Sequence, residues 1–283
     1  MSELELLRVL LLVSMAVGPY GTFRFFSEPS RARLVVHGSA LTCGAAGLFT
    51  SLSFLSGGWL LFCAGSLALF LLRRLREDGA KLLRAPQRLV VTVPLLFSNI
   101  AAVWLVAGTN DLRLLDYGPE FSFYAALHGN VLGWMVVGAM AGLAEEARSY
   151  RTLHTASVLV SFVSFLLIAV GIDQWRSLKP IGVVGLSVAI PASLLAFLHT
   201  VMRRPQRGAL ALGVASFAGL LLTMLLAWQY ELSRLTFPPV LNVRSMVSVH
   251  GVLNTVVVGP CFLLAVALAA HRDTTTRAES ASS

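Results

Sequence analysis

The sequence predicts an all-α fold: a polytopic bundle of about nine transmembrane helices, with the N-terminus outside the cytoplasm and the C-terminus inside. Of the 283 residues, 56% are hydrophobic and only 13% are charged, and the mean hydropathy is +0.76. Nine apolar runs approach the length of about 20 helical residues that crosses a bilayer core of ~30 Å. The basic residues are concentrated in alternate connections between these runs.

The composition excludes a soluble globular protein. Soluble domains carry about 25% charged residues, roughly twice the fraction in this chain. The net charge of +8 would suit a nucleic-acid partner in a soluble protein, but here the basic residues stand in short runs between apolar segments. That arrangement is typical of cytoplasmic loops that contact lipid headgroups. The sequence therefore predicts the lipid bilayer as a partner and no nucleic-acid binding.

The nine predicted spans follow one another with short connections. The first is expected to be a retained span from Leu6, because the acidic N-terminus lacks the positive region and cleavage site of a signal peptide. The third is short, and a tight turn at Ser56-Gly57-Gly58 is predicted to join it to the second. The predicted spans are 6–22, 34–56, 57–72, 89–108, 120–143, 153–171, 180–201, 209–229 and 245–270.

The distribution of positive charge predicts the orientation. Sixteen of the 22 Lys and Arg residues fall in alternate connections and the C-terminal tail, and six fall on the other side. Since cytoplasmic loops carry the excess of Lys and Arg, the richer side is predicted to be cytoplasmic. Residues 1–272 are predicted to form one transmembrane domain, followed by a polar, disordered cytoplasmic tail at 273–283. The predicted location is a cell membrane, such as a bacterial inner membrane, which the chain crosses many times.

Polar side chains at membrane depth are the candidates for function, because they are expensive there and usually face the interior of a bundle. In the fifth span, Glu120, Tyr124 and His128 follow one another at intervals of four residues and therefore share one helical face. His128 is expected about 12 Å below the predicted outer boundary. Glu120 and His128 are predicted to be catalytic, and Tyr124 is predicted to bind the substrate.

The ninth span holds a second polar group. His250 and Asn254 are four residues apart, share a face and are expected at about the depth of His128. His250 is predicted to be catalytic. Asn254, Asn99 in the fourth span and Asp111 near the outer end of that span are predicted to bind the substrate. A single membrane His or Asn is often only an interhelical hydrogen-bond partner, and that alternative stays open for each residue.

Three of the six histidines precede glycine: His37, His128 and His250. Glycine beside an inward-facing His lets a neighbouring helix or a flat ligand approach the backbone. His37 is expected near the cytoplasmic end of its span and therefore outside the predicted site. The three cysteines lie in apolar runs without CxxC spacing, so neither a disulfide nor a metal site is predicted.

The two histidine-bearing segments resemble those of the YndJ-like integral membrane proteins. The matching stretches are Ala126-Leu127-His128-Gly129 and His250-Gly251-Val252-Leu253-Asn254. In the family pattern a second histidine follows the first by two positions, whereas this chain has Asn130 there, which disfavours a two-histidine metal ligand. The family brings no established activity, so the resemblance implies a site in these two spans and leaves its chemistry open.

Three classes of function fit these residues. The first is an intramembrane enzyme that acts on a lipophilic small molecule, isoprenoid- or polyketide-like, by acid–base chemistry. A carboxylate and imidazoles in a low dielectric suit the cyclisation, isomerisation or epoxide opening of a biosynthetic cyclase or isomerase. His250 and Asn254 would orient the substrate or stabilise developing charge. No cofactor motif is needed, and the lack of Asp-rich diphosphate motifs disfavours a metal-dependent prenyltransferase.

Two alternatives stay open beside the enzyme. In a haem-binding redox protein, His128 and His250 would be axial ligands from facing helices. In a transporter, sensor or structural membrane partner, the Glu120/Tyr124/His128 stripe would be a proton relay or packing, and an inverted repeat with broken helices would favour that class. Prolines in the spans do not define two equivalent halves.

Overall fold

The computed structural model describes residues 2–20, 31–79, 86–147, 149–203, 206–232 and 247–282. Within these ranges all regular structure is helical, and eight helices are long and apolar enough to cross a membrane. The predicted all-α transmembrane fold is confirmed. Helices α1 to α10 are Glu3–Val17, Arg31–Phe49, Ser56–Asp78, Thr92–Thr109, Pro119–His128, Val137–Glu146, Arg151–Asp173, Leu178–Met202, Arg207–Leu232 and Gly259–Ser282; shorter turns are Ser53–Leu55, Pro86–Leu89 and Leu114–Asp116.

Eight of the nine predicted spans coincide with those eight long helices, one of which, Pro119–Glu146, comprises α5, α6 and the segment between them. The first predicted span corresponds to α1, which has 15 residues. A helix of that length rises only about 22 Å, less than the ~30 Å of a bilayer core. The predicted boundaries of the last helix also differ, because α10 continues to Ser282. Whether the segment 273–283 is disordered in solution stays a prediction.

The predicted tight turn at Ser56-Gly57-Gly58 is wrong, because these residues form the first turn of α3, which is also longer than expected at 23 residues. The chain reverses one turn earlier, around Ser53–Leu55. A Cβ at Gly58 would lie 2.8 Å from the Cβ of Cys43. The glycine therefore serves the close approach of α2 and α3 rather than a reversal of the chain.

By their internal packing the residues divide into two compact units, Met1–Gly138 and Ala139–Ser283. In the first unit, α1 packs against α2 and α5, and α4 packs against both α3 and α5. In the second unit, α7 packs along α8, α8 against α9, and α9 against α10. The prediction of one transmembrane domain over 1–272 stays a prediction.

Two of the spans depart from α geometry. One π-helical segment, Gly129–Val136, joins α5 to α6, and two more, Val247–Gly251 and Leu253–Val258, precede α10. Their hydrogen bonds reach back five residues, from the Val137 N–H to the Leu132 carbonyl and from the Gly259 N–H to the Asn254 carbonyl. π-Helical turns are rare, mostly occur as single turns within α-helices, and are frequent at functional sites.

Candidate functional site

The π-helical segments coincide with the two histidine motifs. His128 is the last residue of α5, directly before the first π-helical segment, and His250 and Asn254 lie within the other two. A π turn carries one more residue than an α turn, so side chains on either side of it change their angular relation. The sequence motifs and the local helix geometry therefore point to the same two places in the chain.

The imidazole of His128 is held in a defined tautomer. Its Nδ1 lies 2.9 Å from the backbone carbonyl oxygen of Tyr124. Because a carbonyl can only accept, Nδ1 donates its proton and the lone pair of the neutral ring is on Nε2. His128 is exposed, and it stands nine residues after Pro119, the first residue of α5. Nine residues correspond to about 13 Å along the helix, a little less than half of the ~30 Å that a span starting at Pro119 must cross.

The predicted stripe lies on one uninterrupted α-helix, so its three side chains share a face. Glu120 is exposed and Tyr124 is half-buried. The phenol of Tyr124 donates a hydrogen bond to the carboxylate of Glu3, in the first turn of α1. The first unit thus brings together two proton-handling side chains, Tyr124 and His128, one helical turn apart, with a carboxylate from another helix beside the first.

Sequence reasoning missed both contributions of α1. Besides Glu3, the guanidinium of Arg8 lies over the Phe123 ring, 5.8 Å from its centroid, and its Nε is buried without a hydrogen-bond partner. In the sequence, a Glu at the start of a span is typical of a helix boundary. Only the hydrogen bond with Tyr124, which the sequence does not reveal, distinguishes Glu3 from Glu5. The signal that could have found Arg8 is a basic residue inside the first apolar run.

Deeper in the first unit, polar groups tie α1 to its neighbours. The amide of Asn130, in the π-helical segment, donates to the Ser14 hydroxyl at 3.2 Å. The Nε2 of His37 donates to the Met15 carbonyl at 3.1 Å, and the ring stacks on Phe62 with 5.6 Å between centroids. His37 is buried at this contact, so its described partners belong to packing between helices.

The second unit positions His250 in a similar way. Its Nδ1 lies 3.2 Å from the carbonyl oxygen of Thr223 on α9, so this ring also donates from Nδ1 and carries its lone pair on Nε2. His250 and Asn254 are both half-buried.

Two polar contacts tie α8 to α9 in the second unit. The Lys179 ammonium pairs with the Glu231 carboxylate, with 19% and 14% of their side chains exposed. Trp228 donates to the Ser187 hydroxyl at 2.9 Å.

Two other predicted substrate-binding residues lie elsewhere in the first unit. The Asn99 amide donates to the Leu95 carbonyl at 2.8 Å and to the Cys63 carbonyl at 3.2 Å, which links α4 to α3. Asp111 is exposed, with a left-handed φ of 52°, in the loop after α4. The described contacts join neither residue to Tyr124 or His128. Their role in substrate binding stays a prediction, as does a cavity shared by the two histidines.

A further histidine that sequence reasoning left aside is buried. His154, near the start of α7, has its Nδ1 2.8 Å from the Ser193 hydroxyl oxygen on α8, and both side chains are inaccessible. A neighbouring pair, Tyr150 and His199, is joined at 3.0 Å. These bonds lie on the closely packed α7–α8 interface, where Gly182 and Gly185 face Ser164. The buried His154–Ser193 bond therefore joins helices rather than lining an accessible site.

Comparison with known proteins identifies the family. A profile of the YndJ-like protein family matches residues 9–258, well beyond the two histidine-bearing segments that suggest the family from sequence alone. The chain is 26% identical over 255 residues to the uncharacterized membrane protein YndJ of Bacillus subtilis strain 168. That alignment covers 87% of this chain and 45% of the relative, so the chain spans less than half the relative's length. No solved structure matches. Together with its membrane-spanning helices, the match over most of the chain shows that the protein belongs to the YndJ-like family of membrane proteins.

Proposed function

We propose that the chain is an intramembrane enzyme that moves protons to and from carbon in a lipophilic small molecule, as in an isomerisation or a proton-initiated cyclisation. The substrate class is isoprenoid- or polyketide-like, since such molecules partition into hydrocarbon and rearrange by proton transfer. His128 acts through Nε2 as the general base or, once protonated, as the general acid. Tyr124, one turn away on the same face, is the second proton-handling group.

One observation carries the proposal: the bond from His128 Nδ1 to the Tyr124 carbonyl. It fixes the ring orientation and the tautomer, with the basic lone pair on Nε2, which is how second-partner bonds orient catalytic and ligating histidines. An ionisable side chain within a membrane span is costly, so such residues are by default candidates for a functional site. An isomerisation needs one group to take a proton and another to return one, and two such groups stand one turn apart on α5.

Uptake of deuterium into carbon tests this proposal and does not require the substrate to be identified first. The purified protein is reconstituted in liposomes of the source organism's total lipid extract and incubated in D2O buffer. The lipids are then extracted, back-exchanged in H2O to remove deuterium from O–H and N–H groups, and measured by high-resolution mass spectrometry. The enzyme is expected to produce a time-dependent mass increase in one lipid species. His128→Asn is expected to slow this uptake by about a hundredfold or more, the usual loss for a general acid or base.

The matched control is His199→Asn, because His199 lies near the end of another span and bonds only Tyr150 among the contacts described for it. This variant is expected to retain the wild-type rate. A wild-type protein that causes no more uptake than empty liposomes would contradict the proposal. Equal rates for wild type and His128→Asn would remove His128 from the chemistry.

Haem ligation is a second candidate, favoured by one specific feature. His128 donates from Nδ1 to a backbone carbonyl, which places the ring lone pair on Nε2, as in many histidines that ligate iron. Among the described residues, no three His, Cys, Asp or Glu side chains form a metal-binding group, but haem needs only axial ligands. An intense Soret absorbance in the purified protein, lost in His128→Asn, would favour haem over the enzyme.

A further inference from the structure

We propose that Glu3, in the first helix, is the group through which this site exchanges protons with the aqueous phase, with Tyr124 as the relay between Glu3 and the substrate. The inference rests on the proposed function and adds a residue and a direction of proton flow to it. It starts from a contact between residues 121 positions apart in the chain, the hydrogen bond from the Tyr124 phenol to the Glu3 carboxylate.

The position of Glu3 suits an exchange with water. Glu3 lies in the first turn of α1 and is half-buried, whereas His128 lies about 13 Å along α5. Tyr124 lies between these two levels and touches both sides: its hydroxyl bonds Glu3, and its carbonyl accepts from His128. When the phenol proton points to Glu3, the oxygen lone pairs face away from the carboxylate. In that state Tyr124 can accept a second proton.

The charged groups around the pair leave Glu3 as the acceptor. On α1, Arg8 lies over Phe123, and the exposed Glu5 caps its own helix through Ser2. Hydrogen bonds from the Ser2 backbone amide and, second, its side chain lower the pKa of Glu5 below its usual range, so Glu5 stays ionised. On α5 itself, the other acid is Glu120, which is exposed.

Among the described residues, no contact joins a titratable group of the neighbouring helices to Glu3 or Tyr124. Helix α4, which packs against α5, carries no titratable side chain over Thr92–Thr109. Helix α2, which packs against α1, carries Arg31, Arg33, His37 and Cys43, and its His37 bonds the Met15 carbonyl twelve residues along from Glu3. The π-helical segment Gly129–Val136 carries none.

The proton balance of one relay step is simple. The bond between the substrate and its departing proton breaks, and a new O–H bond forms on the Tyr124 oxygen. At the same time the original Tyr124 O–H bond breaks, and its proton joins the Glu3 carboxylate. Water then takes the proton from Glu3 and restores the starting state. Running the steps in reverse delivers a proton to the substrate. No redox partner or cofactor takes part.

Infrared difference spectroscopy tests the coupling independently of any substrate. The reconstituted protein is titrated through the pH of the external buffer, and the protonated carboxyl band and the tyrosine C–O band are followed. A carboxyl band that is lost in Glu3→Gln is expected to titrate together with a tyrosine band that is lost in Tyr124→Phe. Glu5→Gln is the matched control, because it removes a carboxylate from the same helical turn while a glutamine can still complete the cap.

Deuterium uptake tests the same relay in turnover. Glu3→Gln and Tyr124→Phe are each expected to slow uptake at least about tenfold, and the double variant no further, since both residues lie on one path. Glu3→Asp should restore part of the rate, and Glu5→Gln should stay within twofold of the wild type. In Glu3→Gln the dependence of the rate on pH should also change shape, which a purely structural role would not produce.

Three results would overturn the inference: a Glu3 carboxyl band that ignores the external pH, a tyrosine band that titrates unchanged in Glu3→Gln, or a loss of rate in Glu5→Gln equal to that in Glu3→Gln. If Glu3→Gln fails to fold, the wild-type and Glu3→Asp titrations decide. A wild-type protein without deuterium uptake would end the proposed enzyme activity, and the infrared titration would still decide whether Glu3 and Tyr124 exchange protons with water.

Discussion

At the scale of single residues, one hydrogen bond decides what each histidine can do. His128 and His250 donate from Nδ1 to carbonyl oxygens, so the atom farther from the backbone, Nε2, carries the lone pair. His37 donates from Nε2 to the Met15 carbonyl, so its outer nitrogen is committed to packing. The three His-Gly pairs look alike in the sequence. Their tautomers separate two histidines suited to proton transfer or ligation from one suited to holding helices together.

A half-buried ion pair gives a residue-scale prediction for the second unit. Lys179 and Glu231 pair at an end of α8 and α9 with most of both side chains covered. Lys179→Met is expected to lower the free energy of unfolding by about 2 kcal/mol, because it leaves the mostly covered Glu231 carboxylate without its lysine partner. The double variant Lys179→Met/Glu231→Leu should recover most of that loss, since apolar side chains of similar size tolerate the site.

The measurement for the pair is the unfolding midpoint of the four proteins in one detergent, compared as a double-mutant cycle. Independent losses that simply add in the double variant would show that the two side chains do not act as a pair. The same experiment done with Arg73 and Glu77, an exposed pair on α3, should show a coupling below about 1 kcal/mol.

At the scale of elements, glycines decide how closely the π-helical segment packs. A Cβ at Gly129 would lie 2.8 Å from the Ala101 Cβ and 3.3 Å from backbone atoms of α4, and a Cβ at Gly133 would collide with the Phe97 ring. Backbone cannot move aside as a flexible side chain can. Gly129 therefore allows α4 and the segment after His128 to touch, as the His-Gly pattern predicts.

We expect Gly129→Ala to destabilise the protein by about 1 to 3 kcal/mol, the usual effect of overpacking, and to slow deuterium uptake by displacing His128. Gly38→Ala is the control, because it also follows a histidine but has no atom within 4 Å of its Cβ position. That substitution should be neutral or stabilise the protein by up to about 1 kcal/mol through helix propensity. Equal destabilisation by both would show that glycine matters only for backbone flexibility.

The same elements show what could be predicted from the sequence. Eight spans were predictable because length and apolarity are local properties of the chain. The first histidine stripe was predictable because α5 keeps regular i, i+4 spacing from Pro119 to His128. The π turns could not be predicted, because the place where a helix takes in an extra residue depends on tertiary contacts, such as those of Ala101 and Phe97 with the segment Gly129–Val136. Nor was the Glu3–Tyr124 bond, which joins residues 121 positions apart.

Proline and glycine show how tertiary contact changes the meaning of a local signal. Ser56-Gly57-Gly58 looks like a turn, yet Gly58 lies in α3 because it faces Cys43 at close range. Pro191 lies inside α8 without ending it, since α7 and α9 both pack against that helix. Gly79, with a φ of 52°, does end α3, because its backbone leaves the helical region for a positive φ that glycine adopts without a steric cost.

At the scale of the whole molecule, the orientation in the membrane decides which aqueous phase supplies protons to Glu3. The basic residues predict that the chain begins outside the cytoplasm, since sixteen of 22 fall on the opposite side. Ser2 stands next to Glu3 at the start of α1, and Ser149 stands between α6 and α7; both are exposed. Each can therefore report, as a cysteine, on the side that its segment faces.

In a variant with Cys43, Cys63 and Cys261 replaced by alanine, Ser2→Cys is expected to react with a membrane-impermeant maleimide in intact cells. Ser149→Cys is expected to react only after permeabilisation, because the Arg-bearing connection around it is predicted to be cytoplasmic. Labelling after permeabilisation controls for reactivity. The reverse labelling pattern would mean the opposite orientation, and Glu3 would then exchange its protons with the cytoplasm. In oriented vesicles, the infrared bands of Glu3 and Tyr124 would then titrate with the pH on the cytoplasmic side.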